Sequence, residues 1–392
     1  MALLELPEEL TLPADGFAGA LAARVWRPDV EGPSVVSIRA DGVFDVSADF
    51  PTMRDLCEHQ APAEAIRGAQ GPRLAGISEI LAHSPRDKRG EKRPRLLAPV
   101  DLQAIKASGV TFARSLLERV IEERAHGNPE RAHSVREAIA AALGEDLQKF
   151  KPGSPAALRL KEALIKADAW SQYLEVGIGP DAEVFTKAQP MSAVGCGDDA
   201  GFHRDSGWNN PEPEVALVVA STGRLVGATL ANDVNLRDFE GRSALLLGKA
   251  KDQNASCAMG PFVRFFDSTF TLDDVRATTI SLKVEGEDGF LLEGSSSMAE
   301  ISRDPVDLVA QTLGPSHAYP DGLVLLLGTM FAPVADRGEP GMGFTHKRDD
   351  IVAIASPKLG RLVNRMRPCE ECERWTFGTG ELMRNLARRG LI

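Results

Sequence analysis

Two glutamates and an aspartate carry the chemistry this sequence offers most plainly. Glu212 and Glu214 stand two apart at the entry to an apolar run, Val215 to Ala220. That spacing puts both side chains on one face of an extended strand. Asp233 closes a second apolar stretch that begins at Leu225, and Ser221-Thr222-Gly223 between the two has the composition of a turn. Paired as a hairpin, the strands would bring all three carboxylates to one end of a sheet. Three hard anionic ligands that leave room for water and substrate suit Mg2+ or Mn2+, whereas zinc calls for histidine or cysteine. No histidine lies between Gly207 and Phe290. A 2-oxo acid can chelate such a cation through its carboxylate and keto oxygens, and the charge drawn from the ketone acidifies the proton on C3. The same spacing also fits three solvated carboxylates on an acid-rich surface.

The segments that must position these residues are strand-rich after Glu175 and helical before it, which predicts an α+β fold. Strands are expected at Val184–Thr186, Phe262–Phe266, Thr279–Val284 and Leu323–Leu327, with a final hairpin of Asp349–Ile354 and Gly360–Asn364. Thr271 and Asp274 cap one short helix, and Asp304-Pro305 opens another to Leu313. Gly294 to Met298 reads as a hydroxyl-rich turn. Ser192 to Gly207 reads as a glycine-rich loop that lacks both a dinucleotide fingerprint and a Walker lysine. Upstream, Gly109 opens a helix to about Ala125 whose buried stripe is Phe112, Leu116, Leu117 and Val120. A helical insertion follows over 126–172. In it Ser134 caps Ala138–Leu143, and Ser154-Pro155 starts a helix to about Gln172.

Residues 1–98 are expected to form a small N-terminal α+β domain and 99–392 the catalytic domain, divided near the charged, proline-flanked stretch Pro85–Pro94. In the first, Arg24–Arg27, Ser34–Arg39 and Val43–Val46 have strand character, and Thr52 caps a helix at Met53. A net charge of -11 argues against nucleic acid as a partner. No apolar run has the length of a membrane span, and Met1 to Leu12 has no basic segment of a secretory signal. Five scattered cysteines, an odd number, fit free thiols in a reducing cytoplasm. Cys57 with His59, and Cys369 with Cys372, lack the further ligands of a zinc site.

Several blocks in order resemble the fumarylacetoacetate hydrolase superfamily. They are Glu212-x-Glu214 on a strand, Asn232-Asp233-Val234 leading to Arg237-Asp238, Lys251 shortly before Ser256-Cys257, and Gly260-Pro261. The resemblance runs from about Gly109 to Met366. It implies a fumarylacetoacetate-hydrolase-like mixed β-roll, with Glu212, Glu214 and Asp233 as ligands to a divalent metal and Lys251 as the active-site lysine. It also implies substrate contacts from Arg237, from Arg114 and from Thr329 at the mouth of the site, and a homodimer or higher oligomer.

One departure bears on the reaction. Where hydrolases of this superfamily carry a histidine and a glutamate one helical turn apart, this chain has Ser115 and Glu118. A serine cannot act as a general base near neutral pH. Residues Asn209–Glu214, Lys251–Pro261 and Gly328–Pro333 look most like the superfamily's pentonate dehydratases. That implies Mg2+-dependent conversion of a 2-keto-3-deoxy-D-pentonate, a small 2-keto sugar acid, to 2,5-dioxopentanoate. Lys251 would then stabilise the enolate or serve as base, and Glu118, oriented by Ser115, would protonate the departing C4 hydroxyl. Hydrolysis of an acylpyruvate or diketo acid is the alternative within the superfamily. A non-catalytic sugar-acid-binding protein is the alternative outside it.

Overall fold

The computed structural model describes residues 4–132, 151–166, 170–329, 333, 335–337 and 342–392, apart from the side chains at 113, 114 and 163. The cap at Ser134 with its helix Ala138–Leu143, the segment Met330–Ala332 and the side chain of Arg114 lie outside the described residues.

The first strands are β1 (Ala20–Arg27), β2 (Gly32–Arg39), β3 (Gly42–Asp45), β4 (Arg73–Ala75), β5 (Arg95–Leu97) and β6 (Ala104–Gly109). The middle of the chain adds β7 (Glu183–Ala188), β8 (Asp199–Phe202), β9 (Asn209–Asn210), β10 (Pro213–Val219), β11 (Leu225–Asp233), β12 (Asn235–Leu236) and β13 (Cys257–Phe265). The last are β14 (Thr279–Glu285), β15 (Leu291–Ser297), β16 (Leu323–Leu326), β17 (Ile351–Ser356) and β18 (Gly360–Pro368). Among the described residues the larger sheet runs β4-β3-β2-β1-β13-β11-β10-β16-β6-β7, with β5 on β1, and the smaller runs β15-β14-β17-β18-β8. The architecture is α+β with mixed sheets, as the sequence predicts. Because β1 pairs antiparallel with β13, segments 1–98 and 99–392 share one sheet.

The centre of the larger sheet is β10 and β11. All of β10 is buried, and β11 is buried beyond Leu225. Such runs of β-branched and aliphatic residues fit a strand covered on both faces. Each Val or Leu buried in this way contributes roughly 1.5–3 kcal/mol. The two strands pair antiparallel from Pro213↔Asn232 to Val219↔Leu225. Beyond the sheet's end β9 and β12 continue the same register, with Asn210↔Asn235 and Asn209↔Leu236. Glu212 therefore stands opposite Asp233, whose N–H donates to Glu212 O at 3.0 Å.

One long helix, Ala113–Arg124, leaves β6 through Phe112. Leu116, Val120 and Ile121 pack with Leu174 and Ile178 of the helix Gln172–Ile178 and with Trp208. The helix expected from Pro155 to about Gln172 is described as Pro155–Lys166, followed by this separate one. The capped helices at Thr52, Thr271 and Asp304 form where expected, the first two with complete capping boxes.

Two loop assignments are corrected. Gly294 to Ser297 belongs to β15, and the loop Ser192–Gly207 contains β8, which pairs in parallel with β18. In β15 the residues that read as a turn alternate in burial along a sheet edge, where polar side chains are tolerated. No helix among the described residues is long and apolar enough to cross a membrane.

Candidate active site

The hairpin ladder delivers the three carboxylates to one point. Ligand atoms of Glu212, Glu214 and Asp233 all lie within 4.8 Å of one another, and all three residues are buried. The Glu212 N–H donates to Asn232 Oδ1 at 3.0 Å, which fixes the start of the strand. The Gly328 N–H donates to Glu214 Oε2 at 2.7 Å. Gly328 has a φ of +97°, and a Cβ there would lie 2.0 Å from Thr111 Oγ1, so only glycine brings this amide to the carboxylate. Thr329, the next residue, is buried beside it. Burial, with Asp233 and Glu212 alongside, pushes the Glu214 carboxyl well above the usual carboxylate range. A buried cluster of hard oxygen ligands fits a divalent, oxygen-seeking cation such as Mg2+.

Two lysines flank Asp233. Lys251 Nζ donates to Glu212 Oε2 at 2.5 Å and to Asp233 Oδ2 at 3.0 Å. Burial alone would lower the pKa of Lys251, but Asp233, Glu212 and Glu240 outweigh it and hold the ammonium above its ordinary value. Of the two roles considered for Lys251, this arrangement favours the charged one over the base. Lys187, at 0 % side-chain exposure, places Nζ 2.8 Å from Asp233 Oδ1. It also donates to Val234 O at 3.0 Å and to Lys251 O at 2.5 Å. Burial again opposes ionisation, yet Lys187 and Lys251 together hold Asp233 below the usual range.

The helix Ala113–Arg124 adds a second layer. Two of its charged residues, Arg119 and Glu122, are buried rather than in solvent. Arg119 Nη2 bonds Glu212 Oε1, and its Nη1 lies 2.6 Å from Glu122 Oε2 and 2.9 Å from Glu240 Oε2. Arg237 spans the next layer, with Nε 2.6 Å from Glu122 Oε1, Nη2 2.8 Å from Glu118 Oε2 and its guanidinium over the Trp208 ring. Glu118 thus enters the site as the partner of Arg237, not as a residue exposed beside it. The Ser115 hydroxyl donates to Phe112 O at 2.9 Å within its own helix.

Sequence reading missed Lys187, Arg119, Glu122, Glu183 and Glu240. Glu183 opens β7 opposite Gly109, and a Cβ on Gly109 would come within 1.9 Å of Glu183 Oε2. The glycine admits the carboxyl. Burial raises the pKa of Glu183 against the pull of Arg119 and Lys251. Glu240 is pushed up to about 7, chiefly by burial. Gly109, opposite Glu183, was a local signal for that residue; the other four carried none.

Residues 174–367 match the family model described as fumarylacetoacetate (FAA) hydrolase C-terminal. The chain is 32% identical over 188 residues to a 2-dehydro-3-deoxy-D-arabinonate dehydratase of Saccharolobus solfataricus, covering 47% of this chain and 58% of the relative. It is 32% identical over 192 residues to a "Probable 2-keto-3-deoxyxylonate dehydratase" of Haloferax volcanii, covering 49% of this chain and 62% of that one. The matched regions thus span less than two thirds of either relative. Among solved structures, the apo form of a 2-keto-3-deoxy-D-arabinonate dehydratase superposes with a TM-score of 0.62 at 22% identity, over 89% of this chain and 99% of that one. The form of 2-keto-3-deoxy-D-arabinonate dehydratase with magnesium and 2,5-dioxopentanoate gives 0.60 at 21% identity with the same coverage. These two likenesses establish the fold.

Proposed function

We propose that this protein, residues 174–367 of which match the fumarylacetoacetate hydrolase C-terminal family model, is a Mg2+-dependent hydro-lyase acting on a 2-keto-3-deoxy-D-pentonate. The product is 2,5-dioxopentanoate. The observation that carries the reading is the buried triad of Glu212, Glu214 and Asp233 with Lys251 across two of its members. Its likeness to the named dehydratases of Saccharolobus solfataricus and Haloferax volcanii supports it.

Glu212, Glu214 and Asp233 would hold the cation, which when bound supplies a Lewis acid for the carboxylate and ketone of a 2-oxo acid. Lys251, kept charged by its carboxylate neighbours, stabilises the negative charge that reaches the keto oxygen when the C3–H bond breaks. Glu183 is half-buried within electrostatic reach of Arg119 and Lys251, and its raised pKa makes it a stronger base than an ordinary glutamate. We assign it the C3 proton. The electron pair from C3 forms the C3–C4 double bond as the C4–O bond breaks, and Glu118, with Ser115 nearby on the same helix, hands the departing hydroxyl a proton to give water. The resulting C3–C4 enone loses a proton from C5 and gains one at C3, which moves the double bond to C4–C5. That enol then gains a proton at C4 as its hydroxyl proton leaves, which sets the aldehyde at C5. Arg119 and Lys187 hold Glu212 and Asp233 in place. Arg237, Arg114 and Thr329 are assigned to the substrate carboxylate and hydroxyls. We further propose a cytoplasmic enzyme and a homodimer.

The test is an assay with 2-keto-3-deoxy-pentonates, with and without EDTA, followed by chromatography of the products. A single five-carbon dicarbonyl product that disappears with EDTA is expected. Two carbon fragments would indicate hydrolysis, and binding without turnover would indicate a sugar-acid receptor; either refutes the proposal.

A further inference from the structure

The ladder that delivers the metal-binding carboxylates does not end with them. Asn210 stands opposite Asn235, one alternating step beyond the pair Glu212 and Asp233. Side chains at i and i+2 of a strand share a face, and so do residues directly opposite in an antiparallel pair. Asn210, Glu212 and Glu214 on one strand, with Asp233 and Asn235 on the other, therefore form one continuous polar face. The step between neighbouring positions on that face is about 7 Å.

Both amides are at 0 % exposure. Asn210 Nδ2 donates to Pro211 O at 2.9 Å, but Asn210 Oδ1 has no hydrogen-bond partner among the described residues. Neither Oδ1 nor Nδ2 of Asn235 has one either. Buried amides are ordinarily satisfied, because leaving a polar group without a partner is unfavourable. Here an unused donor and two unused acceptors face each other beside the carboxylates. A hydroxyl group both donates and accepts, so it matches this set; a methyl or a second ketone does not.

We propose that Asn210 and Asn235 form the subsite that recognises the hydroxyl-bearing tail of the substrate. The inference rests on the dehydratase reading above and deepens it. A 2-oxo acid anchored at the carboxylates extends its remaining carbons along the face, and the terminal hydroxyl at C5 meets the amide pair. The subsite selects keto-sugar acids over diketo acids, because a substrate without the hydroxyl leaves the buried amides unpaired.

The experiment compares 4,5-dihydroxy-2-oxopentanoate with 4-hydroxy-2-oxopentanoate, which keeps the departing C4 hydroxyl and lacks the one at C5. The wild type should favour the dihydroxy acid in kcat/KM by about 100-fold or more. Asn235→Ala, and independently Asn210→Ala, should shrink that preference to below about 10-fold, with the loss confined to the dihydroxy acid. Calorimetric Mg2+ affinity should stay unchanged in both variants. Equal losses on the two acids, or a wild type that does not distinguish them, overturns the subsite. If the wild type turns over neither acid, the dehydratase reading fails on its own. Calorimetry with Mg2+ and each acid then decides the subsite: a preference for the dihydroxy acid that the variants lose supports it, and equal binding overturns it. The wild-type comparison stands even if both variants fail to fold.

Discussion

Lys187 Nζ sits 2.8 Å from Asp233 Oδ1, while Lys251 takes the other oxygen of the same carboxylate at 3.0 Å. Asp233 is thereby held by one ammonium on each oxygen. Glu214 is bonded instead to a backbone amide, and burial leaves it reluctant to ionise. The triad is thus electrically uneven. Lys187 also ties Val234 O and Lys251 O together, so one buried side chain joins the end of β11 to the segment that carries Lys251.

That junction predicts the behaviour of Lys187→Met. Removing one partner of a buried ion pair leaves the other charge uncompensated, at a loss of roughly 3–5 kcal/mol. The variant should melt well below the wild type in EDTA. Added Mg2+ would partly replace the missing positive charge, so the variant should gain more from Mg2+ than the wild type does. Thermal melts of both proteins with and without Mg2+ measure this, and equal gains would count against the electrostatic role of Lys187.

Glu214→Ala should have the opposite signature. Without metal, Glu214 crowds two other carboxylates in a buried site, so its loss removes repulsion. The metal-free variant should melt no lower than the wild type in EDTA. It should also lose the Mg2+-induced rise in melting temperature and essentially all turnover. A variant that retains the Mg2+ response would remove Glu214 from the ligand set.

The sequence made the triad legible because Glu212 and Glu214 keep the two-residue period of a strand and Ser221–Gly223 marks the reversal that brings back Asp233. The supporting charges were not legible. Glu118, Arg119 and Glu122 have the close charge spacing typical of a solvated helix face, and only the packing of Arg237 and Trp208 over that helix buries them. Lys187 is a single lysine in a strand, and nothing local distinguishes it from an exposed one. The segment Asp199–Phe202 becomes a strand through parallel pairing with Arg365–Pro368, a contact distant in sequence that periodicity cannot register. Hairpins and capped helices, defined by neighbours, were read with their residues. Long-range pairs were not.

Lys251→Met separates charge stabilisation from metal binding. The carboxylates that keep Lys251 charged remain in the variant, and with the ammonium gone they have less competition for a cation. Mg2+ affinity measured by calorimetry should hold or rise. Turnover should fall by about 100- to 1,000-fold, the scale of losing one preorganised group that stabilises developing charge. An unchanged rate would take Lys251 out of the mechanism.

Glu240 gives the fold a pH dependence with a definite sign. Burial raises its pKa from the ordinary 4.5 to about 7, against the pull of Arg119 and Lys251. The folded protein then binds this proton more tightly than the unfolded chain. The stabilising contribution is fully present below the unfolded value near 4.5 and falls as pH rises toward about 7. Over that window the loss attributable to Glu240 is at most about 3 kcal/mol. Glu240→Gln keeps the size of the side chain and removes the titration, so its stability should decline less steeply between pH 4.5 and 7 than that of the wild type. Urea titrations in EDTA at several pH values give both slopes. Parallel slopes would mean that Glu240 is ionised throughout, held so by the 2.9 Å contact with Arg119.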